Sequence, residues 1–340
     1  MRRKFSQGLY PAAAKCGLER SRAVKDYRRV LDRADVDFVC ISTPDHWHAR
    51  MTLDALAAGK DAFVETPMTR TSAEAAAVVA MADRTGRVVG VGHANLANPD
   101  WSTARDAIRR GAIGPAVHAS AGVFRSDARG YWRFYRIVPE MTARSIDWPL
   151  FLGHTFEVNG EPLSPGPRPF DRAAFAQWRC DAAFSTGPFA DMLAHPAAKL
   201  LAALGLRSPA RVLGAGGLFH ERDGRTVPDV ATLAADFAEG THLLLTASTA
   251  ANFPADDIIR GRRGAIRFAR GGLELFREGP QAAPERLVVE SPKHETDALW
   301  ENFLRCVRSR DRATLAPPEL GAAVASLVAE GASRCRGAAV

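Results

Sequence analysis

No stretch of this sequence approaches the roughly 18 consecutive apolar residues that a membrane-spanning helix needs. The five cysteines are odd in number, lie far apart and form no CxxC pair, so neither a zinc site nor a disulfide framework is indicated. Cys40 falls inside an apolar strand pattern, and we expect it to lie in the core. No metal and no membrane partner are predicted, and the simplest compartment is the reducing cytoplasm.

A basic stripe interleaved with aromatic residues is also missing, although the formal net charge is +7. The excess comes mostly from scattered arginines, so nucleic acid is not an expected partner. An anionic ligand or an arginine-rich composition explains the charge equally well. Arg2 and Arg3 match the start of a twin-arginine export signal, but polar residues interrupt the apolar region that should follow. An ordinary N-terminus is therefore the favoured interpretation.

The length of 340 residues suggests about two domains. In the first part of the chain, apolar strand patterns alternate with helical ones, and Thr71 with Glu74 is typical of a capping box at a helix start. This alternation predicts a parallel sheet with helical crossovers. The predicted strands are 36–42, 61–65 and 87–91, and the predicted helices are 49–58, 71–85 and 99–110.

The pattern changes at a strand predicted over 116–124, because no crossover helix follows it. Residues 125–180 are rich in proline, arginine and aromatic residues, and irregular segments of this length are commonly lids, binding loops or interface arms. A mainly antiparallel sheet is predicted after them, with an inner face that could cover a ligand. The predicted strands are 211–219, 230–237, 242–251, 265–268 and 273–276, and the predicted helices are 187–204, 295–309 and 318–332.

Polar residues follow the first two predicted strands at their carboxyl ends, where open α/β sheets bind ligands. After the first strand comes a loop with His46 and His48, and after the second comes a turn at residues 65–67. The i, i+2 spacing of the two histidines, with only Asp45 as an acidic neighbour, does not favour zinc. We expect Asp45 to cap the helix that follows.

Five segments stand out by their order along the chain: VDFVCISTPDHWHA, AGKDAFVETP, RVVGVGHAN, RRGAIG and GPFADMLAH. Together they resemble the glucose–fructose oxidoreductase/inositol dehydrogenase (Gfo/Idh/MocA) family. The resemblance implies a Rossmann-type doubly wound nucleotide-binding domain over 1–114, here incomplete. It also implies an α+β substrate and oligomerisation domain over 115–340 with an open, mainly antiparallel sheet, whose terminal helices can pack back on the first domain.

The resemblance further implies NAD or NADP as cofactor, a sugar, inositol or related polyol as substrate, and a homodimer or homotetramer. The segment after the first strand matches the one that lines the nicotinamide ribose, and residues 65–67 occupy the Glu-Lys-Pro signature. Thr66 stands in place of the signature lysine, and its hydroxyl cannot act as a cationic acid or base near neutral pH. The implied cofactor contacts are Thr43, Pro44, His46, Trp47, His48, Glu65 and Pro67.

Asp191 and His195 match the D-xxx-H pair of the family near the reacting hydroxyl. Their i, i+4 spacing would place both on one helix face, where the aspartate can orient the imidazole that accepts the hydroxyl proton. Pro196 disfavours helical geometry at His195. Lys199 lies four residues further along the same face. It is either a partial substitute for the missing signature lysine or a residue that forms a surface salt bridge or a helix cap. Asn95, after the third strand, and Arg179 are further substrate candidates, with a structural ion pair as the alternative for Arg179.

No G-x-G-x-x-G turn precedes the first predicted strand, although the family normally begins with one. We therefore expect an N-terminally truncated nucleotide-binding domain, in which strand 36–42 has an exposed edge that favours association. A true start further upstream, a decayed gene and a subunit without catalysis are three explanations. The leading function is hydride transfer between nicotinamide and a polyol. The alternatives are a catalytically degenerate ligand-binding or interaction protein, and an NAD-dependent glycoside-cleaving enzyme.

Overall fold

A short parallel sheet forms the first part of the fold. The computed structural model describes residues 15–19, 22–163, 165–278 and 283–337, so Arg2 and Arg3 lie outside the described residues. Strands β1, β2 and β3 are parallel and adjacent in that order. The elements are α1 (Arg28–Leu31), β1 (Phe38–Ile41), α2 (Asp45–Ala57), β2 (Asp61–Val64), α3 (Ser72–Thr85), β3 (Val89–Val91) and α4 (Asp100–Arg109).

Two expectations about β1 and its following helix are wrong. Cys40 is exposed, not part of the core, because β1 is an edge strand of the described sheet and is only half-buried. The histidines do not lie in a loop, because α2 begins at Asp45 with Pro44 as its extended N-cap residue. The fixed φ of proline suits the start of a helix. Asp45 is therefore inside the first turn and does not cap the helix through its side chain.

The capping box of α3 is confirmed by both of its hydrogen bonds. The Thr71 hydroxyl accepts from the Glu74 amide at 3.1 Å, and the Glu74 carboxylate accepts from the Thr71 amide at 3.1 Å. Gly86 ends the helix in the left-handed conformation that a glycine adopts most easily. The residues of this turn are fixed locally, so the sequence predicts them well.

An eight-stranded open sheet forms the second part, in the order β13-β12-β11-β10-β4-β9-β8-β7. All neighbours are antiparallel except β4 and β9, and the predicted fold class is confirmed. Strands β10 and β13 were not predicted. The elements are β4 (Ala116–Phe124), α5 (Trp148–Leu152), β5 (Glu157–Val158), β6 (Glu161–Pro162), α6 (Arg172–Ala176), α7 (Pro188–Asp191), α8 (Ala194–Leu204), β7 (Arg211–Gly217), β8 (Val230–Asp236), β9 (His242–Ser248), β10 (Ile258–Gly261), β11 (Gly264–Ala269), β12 (Gly272–Arg277), β13 (Glu285–Val288), α9 (Glu295–Ser309) and α10 (Pro318–Gly337).

Between them, the two terminal helices contact both sheets. In α9, Trp300 stacks on Phe63 of β2 with ring centroids 4.1 Å apart. In α10, the carbonyl of Gly331 lies so close to Gly214 of β7 that a Cβ on Gly214 would approach it to 1.8 Å. One apolar core therefore extends over both sheets and the helices between them. Among the described helices, none has the length and apolar character needed to span a membrane.

A break divides the single helix predicted over 187–204. The structure has α7 ending at Asp191 and α8 beginning at Ala194. Pro196 explains the break, because a proline inside a helix removes one backbone donor and its ring clashes with the carbonyl four residues earlier, here that of Met192. Asp191 and His195 consequently belong to two helices, and the prediction that one regular helix face carries both is wrong.

Candidate active site

The start of α2 ties the ends of the first two strands together through His48. One ring nitrogen lies 2.8 Å from the Thr43 carbonyl, and the other lies 2.7 Å from the Pro67 carbonyl. Thr43 follows β1 and Pro67 follows β2, so the buried imidazole bridges two neighbouring strand ends. Burial lowers the pKa of His48. The sequence-predicted cofactor residues at these two strand ends are thus held side by side.

His46 and Trp47 face away from the sheet, towards α5. The His46 ring lies 2.7 Å from the carbonyl oxygen of Phe151, and the Trp47 indole N–H donates to the same oxygen at 3.0 Å. Both side chains are almost fully buried, and burial lowers the pKa of His46 to about 4. The structure therefore places these two predicted cofactor residues in packing contacts with the second part of the chain.

Glu65 and Thr66 lie at the carboxyl end of β2, and the Thr66–Pro67 peptide is cis. The Glu65 carboxylate rests against Gly92, where a Cβ would come within 2.3 Å of it, so a larger residue there would displace the carboxylate. Burial raises the pKa of Glu65, although the nearby Arg179 guanidinium opposes the change. The strand end thus presents a half-buried carboxyl next to a neutral threonine hydroxyl.

Two histidines face each other at the end of β3. The His93 and His195 rings are nearly perpendicular, with centroids 6.1 Å apart. Asn95 donates from its side chain to the His195 carbonyl at 2.8 Å, which fixes the start of α8 against the loop after β3. Burial, together with the neighbouring His195, lowers the pKa of His93 to about 3. Burial also lowers the pKa of His195, while the charge of Asp191 opposes this change.

Asp191 accepts a hydrogen bond at each of its carboxylate oxygens. The Arg179 guanidinium donates to one oxygen at 2.8 Å, and the Trp132 indole N–H donates to the other at 3.0 Å. Arg179 therefore forms an ion pair with Asp191, which was the alternative expected for this residue. Trp132 belongs to the irregular segment after β4, and no sequence pattern pointed to it, because its contact with Asp191 is made entirely through tertiary structure.

A second carboxyl, that of Asp45, lies close to the Asp191–Arg179 pair. Asp45 is 5 % exposed, and its pKa is raised to about 7. Burial is the main cause and the charge of Asp191 adds to it, whereas the charges of Arg179 and Arg70 and a hydrogen bond with Ser185 oppose the rise. The site therefore has a carboxyl group that is partly protonated near neutral pH, and sequence reasoning had assigned it only a capping role.

Lys199 is directed away from this cluster. Its ammonium group pairs with Asp100 at 3.0 Å and with Asp257 at 3.7 Å, and it lies 4.0 Å from the ring centroid of Phe268. The structure therefore separates Lys199 from the other predicted site residues and gives it the salt-bridge role.

Several buried polar atoms at the strand ends have no hydrogen-bond partner within the described part of the chain. They are the Thr43 hydroxyl, both ring nitrogens of His93 and the Asn95 carbonyl oxygen. Leaving such groups unpaired is costly, and a polar ligand would satisfy them. Hydroxyl and amide groups of a nicotinamide riboside, or of a polyol beside it, have the donors and acceptors that fit this edge.

A pocket of about 400 Å³ opens between the start of α3, the β5–β6 hairpin and α10. Arg70, Thr186 and Ala329 line it and also line a smaller cavity that reaches Asp45. His46 contributes to its wall. The buried carboxyl of Asp45 is therefore close to an opening that a small molecule could enter.

Structural comparison shows the same fold in sugar and polyol oxidoreductases. The aldose–aldose oxidoreductase of Caulobacter crescentus, in complex with glycerol, is 18 % identical with a TM-score of 0.69, over 97 % of this chain and 87 % of that one. An inositol dehydrogenase homologue of Azotobacter vinelandii, in complex with NADH and myo-inositol, is 17 % identical with a TM-score of 0.68, over 96 % of this chain and 84 % of that one.

Sequence comparison gives shorter matches at higher identity. The α-N-acetylgalactosaminidase of Shewanella oneidensis is 32 % identical over 119 residues, which are 32 % of this chain and 26 % of the relative. The match thus spans about a quarter of that relative. The model of the oxidoreductase family with an NAD-binding Rossmann fold matches residues 6–93, and the model of the GFO/IDH/MocA C-terminal domain matches residues 151–271. With both of its domains matched and its fold shared, the chain belongs to the Gfo/Idh/MocA oxidoreductase family.

Proposed function

We propose that the chain is an NAD(P)-dependent oxidoreductase that acts on an alcohol group of a sugar, inositol or related polyol. The observation that carries this proposal is the pair of facing histidines, His93 and His195, at the end of β3. Beside them lie buried polar atoms that have no hydrogen-bond partner within the described residues. Membership of the family supports the cofactor, and the sugar and polyol complexes among the structural neighbours support the substrate class.

His195 is the proton acceptor in this proposal. Its lowered pKa keeps the ring neutral near neutral pH, which is the form that accepts the proton of a substrate hydroxyl. The charge of Asp191 stabilises the imidazolium that forms, without a direct hydrogen bond to the ring. Asn95 fixes the backbone of His195 and leaves its own carbonyl oxygen available to a substrate hydroxyl.

The two strand ends would hold the cofactor. The Thr43 hydroxyl and the turn at Pro44 follow β1, and Glu65 and Pro67 follow β2, in one continuous edge tied by His48. A bound nicotinamide supplies the hydride acceptor or donor. Thr66 contributes at most a neutral hydrogen bond, so His195 must take the proton without help from a lysine.

Ligand titration of the purified chain tests the proposal. Oxidised and reduced NAD and NADP are added separately while thermal unfolding is followed, and then polyols are added and the absorbance of the reduced nicotinamide is recorded. A ligand at about 100 times its Kd stabilises a protein by about 2.7 kcal/mol, so binding is readily seen. Thr43→Val should weaken the cofactor-dependent shift, while Thr85→Val, remote on α3, should not. A shift with polyols alone and none with dinucleotides would favour the ligand-binding alternative.

A second function is favoured by a specific observation: two carboxyls of the site, Asp45 and Glu65, have raised pKa values, that of Asp45 being about 7. A carboxyl that keeps its proton near neutral pH is what protonation of a glycosidic leaving group requires. The α-N-acetylgalactosaminidase among the relatives supports the same reading. It is tested with a nitrophenyl α-N-acetylgalactosaminide and NAD. Release of nitrophenol without net change in NADH, abolished in Asp45→Asn, would establish glycoside cleavage in place of net oxidation.

A further inference from the structure

We propose that Trp132, held in place by the buried Arg225, is a positioning residue for the Asp191 carboxylate. The inference rests on the proposed function, because it assigns the irregular segment after β4 a role in that same active site. The segment concerned is residues 130–135, called here the tryptophan arm. It is part of the region whose composition indicates a lid, a binding loop or an interface arm.

The first observation is the conformation of Trp132. The side chain is 2 % exposed, and the backbone φ is +67°, in the left-handed region that bulky residues rarely adopt. Strained backbone of this kind persists only where the surroundings determine it, and it concentrates at functional sites. Here it directs the indole N–H to the Asp191 carboxylate at 3.0 Å.

The second observation is that charged hydrogen bonds hold both neighbours of Trp132. The Arg225 side chain is 0 % exposed; it pairs with Asp223 at 2.7 Å and donates to the Tyr131 carbonyl at 3.1 Å. Arg133 donates to the same Asp223 carboxylate at 2.8 Å. Although burial works against it, hydrogen bonds from Arg225 and Arg133 hold the pKa of Asp223 below its usual range. The arm is thus fixed on either side of its strained residue.

The third observation links the arm to the other partner of Asp191. Gln177 accepts from Arg133 at 2.6 Å and donates to the Tyr135 carbonyl at 2.7 Å. It stands two residues before Arg179, whose guanidinium lies 4.1 Å from the Trp178 ring centroid and donates to Asp191. The arm therefore supplies one donor to the Asp191 carboxylate and is hydrogen-bonded to the segment that carries the other.

The indole N–H of Trp132 governs how the Asp191 carboxylate acts on His195. With one donor on each oxygen, the carboxylate keeps its orientation. Without the indole N–H, one oxygen loses its donor and the carboxylate can rotate about its remaining contact with Arg179. It then stabilises the protonated His195 less, and the pKa of that ring falls.

Trp132→Phe tests this inference in the full chain with bound NAD(P) and a polyol, because it keeps an aromatic ring and removes only the N–H. Trp148→Phe is the matched control: Trp148 is 7 % exposed and its indole donates to the Arg168 carbonyl at 2.8 Å. We expect Trp132→Phe to lower kcat about tenfold or more, the factor that corresponds to a lost hydrogen bond to a charged group. We also expect the acid limb of its kcat/KM profile to move to lower pH, because a carboxylate that is no longer held beside His195 raises the pKa of that ring less.

Trp148→Phe should leave both the rate and the profile in place. Equal effects of the two variants, or a drop in kcat for Trp132→Phe with an unmoved pH profile, would overturn the inference and leave Trp132 as packing only.

A double-mutant cycle of Trp132→Phe with Asp191→Asn, followed by denaturant unfolding, needs no turnover. If the indole acts through Asp191, the effects of the two substitutions on the unfolding midpoint are not additive; additive effects would overturn the inference. A wild-type chain that turns over no polyol refutes the proposed function, and the cycle still decides the positioning role.

Discussion

Arg310 and Asp61 are 249 residues apart in sequence, yet the guanidinium of one donates to both carboxylate oxygens of the other, at 2.6 and 3.1 Å. Asp61 begins β2, and its side chain is 2 % exposed. The same carboxylate accepts from the Val88 amide at 2.8 Å, just before β3. Arg310 is the C-cap of α9, so this contact joins the C-terminal helices to the parallel sheet.

Arg310→Gln is expected to destabilise the protein by about 1–3 kcal/mol, because it leaves a buried carboxylate without its charged partner. Denaturant unfolding followed by tryptophan fluorescence measures the change. Arg312→Gln is the matched control, since Arg312 and its partner Asp83 are both exposed and such pairs contribute less than about 1 kcal/mol. Equal losses in the two variants would mean that the Asp61 contact adds nothing beyond an ordinary surface pair.

Thr66→Lys should increase alcohol oxidation, since it restores the residue that the family signature has at this position. A lysine beside Glu65 would give a cationic group for proton transfer, and general acid–base groups commonly contribute about 100-fold or more. We expect at least about a tenfold rise in kcat, because His195 already accepts the proton in our proposal. Thr66→Met controls for side-chain size, and equal rates in the two variants would contradict the assignment.

His195→Gln should reduce alcohol oxidation by about 100-fold or more, while the shift in thermal unfolding caused by the dinucleotide persists. The pKa of His195 is lowered from 6.5, so kcat/KM of the wild type should rise through a pKa below that value and be level above it. The acid limb should be absent from the remaining activity of the variant. His220→Gln, at an exposed position, is the control. A wild-type profile that still rises above pH 7 would speak against His195 as the base.

Asp229→Asn should destabilise the protein by about 1–3 kcal/mol near neutral pH, because its buried carboxylate accepts the amides of Phe219, His220 and Glu221. Although burial opposes the change, these hydrogen bonds lower the pKa of Asp229 from 3.8. Because the folded-state pKa is depressed, the stabilisation is present above pH 3.8 and is lost as the pH falls through the lower value. The difference from wild type, measured by unfolding at several pH values, should therefore shrink in acid. Asp256→Asn, at an exposed pair with Arg267, should show no such convergence.

Lys199→Met should affect stability and leave turnover unchanged. Removing the ammonium group leaves Asp100 and Asp257 without their cation, and the loss of one partner of a buried pair costs about 3–5 kcal/mol. The rate per folded molecule should match the wild type, as it should in Lys293→Met, an exposed control. A fall in kcat without a fall in stability would indicate that Lys199 acts in the active site.

Local chemistry made much of the fold predictable. The alternation of strand and helix patterns predicted the parallel sheet, and the Thr71/Glu74 pair predicted the start of α3, because both depend on residues close together in sequence. The exposure of Cys40 was not predicted, because an apolar pattern does not report which side chains of a strand its neighbours cover.

The sequence by itself determined the family, the alternation of strands and helices in the parallel sheet, and the strand ends where Thr43, Glu65 and His93 stand. Tertiary structure alone decided what surrounds them. It directs Lys199 into a separate ion-pair cluster, brings Asp45 close to Asp191, and inserts Trp132 from an irregular segment 59 residues before Asp191. These contacts depend on burial and on charge pairing between distant segments. No periodicity encodes such contacts, because each residue in them satisfies a partner that only the folded chain supplies.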